Sequence, residues 1–85
     1  MVKLYTTESC PYCKELKEMY DKEGIKYEEV DINLDENEEE YDEVAKVGQS
    51  DSVPLVRVNN QILAAEISFK SINEAFELTK RFLKA

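Results

Sequence analysis

Two cysteines stand three positions apart in Cys10-Pro11-Tyr12-Cys13, and the chain has no other cysteine and no histidine. A pair at that spacing can close as a disulfide and reopen, so the chemistry it offers first is reversible thiol-disulfide exchange. If a helix begins at Pro11, the first sulfur lies among backbone N–H groups that lack intrahelical partners. That is the positive end of the macrodipole, where thiolate is favoured over thiol. The second sulfur, one turn further in, is placed to attack a mixed disulfide made by the first and release the product. A structural staple and half of a zinc site share the spacing. A tetrahedral zinc site needs four donors, which this chain could complete only with carboxylates or a second subunit.

The elements that must position the pair follow from periodicity. Val2 to Thr6 alternates as a strand, and Leu16, Met19 and Tyr20 join Cys13 on one helix face. Pro11 at the first helical position costs no hydrogen bond and Gly24 lies where a helix stops, which predicts a helix over 11–23 with the cysteines at a strand-to-helix junction. Ile25 to Ile32 reads as a second strand, parallel to the first with a right-handed crossover. Asp35 to Glu43 holds seven acidic residues in nine positions, yet Tyr41, Val44, Ala45 and Val47 supply an apolar face ending at Gly48. The expectation is a short acidic helix with a solvated outer face. Val53 to Val58 is the third strand, Asn59-Asn60 a two-residue turn, and Gln61 to Ala65 the antiparallel return. Ser71-Ile72-Asn73-Glu74 is a capping-box pattern opening a last helix packed through Ile72, Ala75, Phe76, Thr79, Phe82 and Leu83. The order is βαβαββα, an α/β class with a four-stranded mixed sheet flanked by three helices. No repeat or linker divides it, so 1–85 is expected to be one domain.

Eighty-five residues, 42% hydrophobic and 35% charged, describe an ordinary soluble globular chain. The net charge of -8 argues against nucleic acid and anionic membrane as partners, since both require a basic footprint. No apolar run reaches transmembrane length and nothing marks export, so the expected address is cytoplasmic. In that reducing compartment a close cysteine pair serves redox chemistry more often than stapling.

Cys10-Pro11-Tyr12-Cys13 after a first strand, Val53-Pro54 opening the third, and the βαβαββα order together resemble a glutaredoxin, a small member of the thioredoxin superfamily. Tyr5-Thr6 and Ser52-Val53-Pro54 sit where that family has matching segments. The resemblance implies that Cys10 is the nucleophile, Cys13 the resolving thiol, and Pro54 a cis-proline beside the active site. Pro11, Tyr12, Ser52, Val53, Pro54, Ala65 and Glu66 would contact the substrate, with Val53 offering backbone groups. It further implies no bound prosthetic group, no metal, glutathione as co-substrate, disulfide-bearing proteins such as a ribonucleotide reductase as partners, and a monomer. Tyr12, between two reactive cysteines, is expected to face solvent and flank the substrate. Lys14 is either solvated or lowers the cysteine pKa, and Arg57 is expected to pair with the acidic second helix.

Two stretches depart from the family pattern. Where many glutaredoxins have Gly-Gly and an acidic residue to hold the γ-glutamyl end of glutathione, this chain reads Leu63-Ala64-Ala65-Glu66-Ile67-Ser68. Alanine adds a Cβ where backbone would approach closely or take positive φ. Ahead of the motif the family often has a basic residue, whereas here Glu8 opposes thiolate formation and leaves the helix terminus as the main favourable influence. The leading expectation is a glutathione-linked thiol-disulfide oxidoreductase acting through Cys10 and Cys13, a reductant rather than a strong oxidant. The alternatives are a thioredoxin-like carrier reduced by a flavoprotein reductase, and a non-enzymatic redox-sensing binding module.

Overall fold

The computed structural model describes residues 2–49 and 53–84. Its elements run β1 (Val2–Thr6), α1 (Pro11–Glu23), β2 (Glu28–Asp31), a 3-10 turn (Asp35–Asn37), α2 (Glu38–Gly48), β3 (Leu55–Val58), β4 (Gln61–Ala64) and α3 (Ile72–Lys84). The sheet order is β2-β1-β3-β4, with β1 and β2 parallel and the other two pairings antiparallel. This is the thioredoxin-like α/β arrangement, a four-stranded mixed sheet with three helices.

Alternation along the strands assigns the two faces. Val2 and Leu4 pair with Val58 and Val56, and these residues meet Leu16 and Tyr20 of α1 and Ala75 and Phe76 of α3 in one core. Tyr5, Leu55 and Ala64 point the other way and pack with Val30 of β2 and Val44 of α2. Leu4, Leu16 and Leu55 are fully buried, and each such side chain contributes roughly 1.5–3 kcal/mol by leaving water. The first core joins α1 to α3 by a polar bond as well. Thr79 Oγ1 donates to Ala75 O, so the buried Tyr20 hydroxyl, 2.8 Å away, donates to Thr79 Oγ1.

Several boundaries differ from the periodic reading for physical reasons. β2 starts at Glu28 rather than Ile25, because Ile25 N donates to Tyr20 O at the end of α1, and Ile25 and Tyr27 pack against the core as loop residues. The acidic run begins as a 3-10 turn before α2 proper. Gly48 is not the left-handed cap of α2. Gln49 takes that conformation at φ 58°, while a Cβ on Gly48 would come within 3.0 Å of Ile62 Cγ2 and 3.2 Å of Ala64 Cβ. Gly48 therefore lets the helix approach β4, and Val47 is 66% exposed because the next inward position belongs to Gly48. Strand β3 starts at Leu55, two residues later than expected, and β4 ends at Ala64, with Ala65 in an isolated bridge to Phe69. The capping box at α3 is half made: Glu74 N donates to Ser71 Oγ, but the Glu74 carboxylate accepts from Lys70 N, one residue earlier than the standard partner. Arg57 donates to Asn59 O and faces α2 across a cleft shared with Glu40 and Glu43, where its charge helps lower the Glu40 carboxyl, while the ion pair to α2 at bonding distance is that of Lys3 with Glu40 at 2.9 Å.

Candidate active site

The loop after β1 is closed by Cys10 N donating to Thr7 O, and its start is pinned beneath. Thr6 Oγ1 and Lys17 Nζ both donate to Glu29 Oε2 at 2.8 Å, joining the end of β1, the middle of α1 and β2. The Lys17 ammonium, and then the Thr6 hydroxyl, hold the Glu29 carboxyl below its usual range. Cys10 leaves this loop as the N-cap of α1 with extended backbone (φ -93°, ψ 105°). Pro11 follows at the first helical position, where its missing N–H costs nothing. The Cys10 sulfur accepts from Cys13 N at 3.1 Å, so one of the orphan donors of the helix is aimed at it.

Cys10 and Cys13 are joined as a disulfide across a Cα separation of 5.3 Å. Their environments differ. Cys10 is partly exposed, whereas Cys13 faces inward with Leu16 and Tyr20 and is 1% exposed. Of the two residues, Cys10 is the one with surface to offer an approaching molecule.

The register of the sheet brings the remaining residues together. Leu55 pairs with Tyr5 near the end of β1 and with Ala64 at the end of β4, so Pro54 and Ala65 emerge beside one another close to the cysteine loop. The Val53-Pro54 peptide is cis, Pro54 is buried and Val53 half-buried. A cleft of about 250 Å³ lies between Tyr12 of α1, the Val53-Pro54 segment, the Ala65-Glu66 turn and the approach to α3. Five of the residues expected from the sequence to contact substrate, Tyr12, Val53, Pro54, Ala65 and Glu66, line it together. Tyr12 is 62% exposed at its mouth. Pro11 is exposed and does not line the cleft, and Ser52 lies outside the described residues.

Four further lining residues, Phe69, Lys70, Ser71 and Ile72, carry no site signal in the sequence. Phe69 and Ile72, nearly buried, give the cleft an apolar floor. Ile72 and Ser71 carried packing and capping signals that concealed a second use, and Lys70 had no periodic signal at all. What brings them in is the turn after β4. Ile67 N and Ser68 N both donate to Ala64 O, Glu66 N donates to Phe69 O, and Ala64 N donates to Ser68 Oγ. The one left-handed residue of this turn is Glu66, at φ 69°; neither Ala64 nor Ala65 takes positive φ. Glu8 sits on the far side of the loop, on a separate acidic cleft with Glu29, Asp31, Glu36 and Glu40.

The Glutaredoxin family model matches residues 2–63. A protein of Clostridium pasteurianum described as an uncharacterized glutaredoxin-like 8.6 kDa protein in rubredoxin operon is 30% identical over 74% of this chain and 81% of its own length. Glutaredoxin 1 of Rickettsia typhi is 35% identical over 67% of this chain, which spans only 55% of that relative. The crystal structure of a buckwheat glutaredoxin-glutathione complex superimposes with a TM-score of 0.74 at 13% identity, covering 98% of this chain and 76% of that one, a likeness of fold. With a matched family spanning most of the chain and a Cys-x-x-Cys disulfide at the head of α1, this protein belongs to the glutaredoxin family of thiol-disulfide oxidoreductases.

Proposed function

We propose that the protein reduces protein disulfides or glutathione mixed disulfides through the Cys10/Cys13 dithiol, with glutathione as the co-substrate that regenerates it. In the reduced state the Cys10 thiolate attacks one sulfur of a substrate disulfide, forming a mixed disulfide and expelling the other sulfur as thiolate, which takes up a proton. Cys13, deprotonated, then attacks the Cys10 sulfur, closes the Cys10–Cys13 disulfide and expels the second product thiol. Two electrons pass from the dithiol to the substrate, and two thiol equivalents restore the pair. The observation that carries this order is the difference in exposure between the sulfurs, since the open Cys10 can meet a substrate and the covered Cys13 can reach only its neighbour. The Cys13 N–H aimed at the Cys10 sulfur supports thiolate there. No histidine exists in the chain, so proton transfers run through the sulfurs, solvent or carboxylates.

Glutathione as electron source is supported by the fold shared with the buckwheat glutaredoxin-glutathione complex and by the cleft beside Tyr12. One observation favours a second reading, a carrier reduced by a flavoprotein reductase: the turn 64–69 spends the N–H groups of Ala64, Glu66, Ile67 and Ser68 on itself. Coupled NADPH assays separate the two. Turnover of 2-hydroxyethyl disulfide is expected with glutathione and glutathione reductase. Turnover only with a thioredoxin reductase would transfer the assignment to the second reading.

A further inference from the structure

The cleft carries two charged side chains at its rim, Glu66 and Lys70, above the floor of Phe69 and Ile72. Both are exposed, and among the described residues neither enters an ion pair. Lys70 is the only cation that lines the cleft among those residues. Its backbone is fixed, because Lys70 N donates to Glu74 Oε1 at 2.7 Å and the next residue caps α3 through Ser71 Oγ. The neighbouring turn offers little to an anion, since four of its N–H groups are already bonded inside residues 64–69. The chain as a whole bears a net charge of -8 and repels anionic molecules at long range. Screening confines that repulsion to about 8–10 Å at physiological salt, so inside the cleft the two charges on its rim, the Lys70 ammonium and the Glu66 carboxylate, govern how a carboxylate is received.

We propose that Lys70 is a specificity-determining residue, receiving a carboxylate that the substrate disulfide carries close to its sulfur. This rests on the oxidoreductase reading above and names the chemistry that its cleft selects. The carboxylate can come from a small disulfide such as glutathione disulfide or from an acidic side chain beside the cysteine of a protein. The apolar floor takes the carbon skeleton in either case, and Glu66 opposes a second carboxylate at the same rim.

The test is single-turnover oxidation of the fully reduced protein, which needs no regenerating enzyme. The oxidants are 2-hydroxyethyl disulfide, which is neutral, glutathione disulfide, and a pair of peptide disulfides that differ only in Asp or Asn beside the cysteine. For Lys70→Gln the rate ratio of a carboxylate disulfide to the neutral one is expected to fall about two- to fivefold, the scale of one exposed ion pair. Lys70→Arg should keep the ratio and Lys70→Glu should lower it further. A fall confined to glutathione disulfide assigns the small-molecule source, and one confined to the Asp peptide assigns the protein source. An unchanged ratio in Lys70→Gln, or an equal loss in Lys70→Arg, overturns the proposal. Failure of the reduced wild-type protein to reduce even the neutral disulfide would instead overturn the oxidoreductase reading itself.

Discussion

Because Cys13 is covered and Cys10 partly open, an incoming disulfide meets one sulfur first, and the first turn of α1 decides which. Both the pair and the inward turn of Cys13 were legible in the sequence, since Pro11 marks the helix start and the helical spacing of Cys13 with Leu16 and Tyr20 places the second cysteine on the core face. Glu66 was harder to read. It occupies the left-handed region at φ 69°, where a side chain costs roughly 1–2 kcal/mol. Glu66→Gly is expected to raise stability by about 0.5 kcal/mol after the greater entropy loss of glycine is counted, seen in urea unfolding as a higher midpoint at unchanged slope. The family pattern drew attention to Ala64 and Ala65 as the positions needing freedom, but the hydrogen bonds of the turn place the left-handed residue one step later. Lys70 was illegible because a lysine in a polar stretch has no period. The turn after β4 carries it to the cleft, through the bridge between Ala65 and Phe69 and the bond from Lys70 N to Glu74.

At the level of elements, the helix that carries the cysteines is held to α3 by the buried bond from the Tyr20 hydroxyl to Thr79. The two ends of this bond are unequal. Thr79→Val leaves the Tyr20 hydroxyl buried without an acceptor, at a cost of about 1–3 kcal/mol, whereas Tyr20→Phe removes one donor and leaves Thr79 bonded to Ala75 O, costing about 1 kcal/mol. Chemical denaturation of the two variants should therefore rank Thr79→Val as the less stable; the reverse order would contradict the donor assignment. Element types and order were readable from periodicity and punctuation, as was the end of α2 at Gly48, but the start of α2, the reason for that glycine and the start of β2 were not. Gly48 looks like a helix stop in sequence, and the surface it makes room for, Ile62 and Ala64, is distant along the chain. Ile25 and Tyr27 look like strand residues because packing in a loop and pairing in a sheet demand the same apolar side chains.

Across the whole molecule, charge couples stability to pH at both ends. Hydrogen bonds from the Tyr5 hydroxyl and then from Lys3 lower the Glu40 carboxyl below 4.5. A carboxylate with a lowered folded pKa contributes stability above its unfolded value and loses it as pH falls through the folded one. The stability difference between wild type and Glu40→Gln should accordingly be constant near neutrality and shrink below about pH 4.5, a comparison that cancels the general effect of discharging the acidic surface. At the alkaline end burial pushes Tyr20 up to about 12, and burial with the Glu40 hydrogen bond pushes Tyr5 higher still. Stability should thus fall once pH passes the ordinary tyrosine value near 10, where the unfolded chain begins to ionise. The chemistry itself is tested most directly by trapping. Reduced Cys13→Ser protein mixed with 2-hydroxyethyl disulfide is predicted to hold one hydroxyethylthio adduct on Cys10 by mass spectrometry, while reduced Cys10→Ser gains none on Cys13. An adduct forming as readily on Cys13, or none on Cys10, would contradict the assignment of Cys10 as nucleophile.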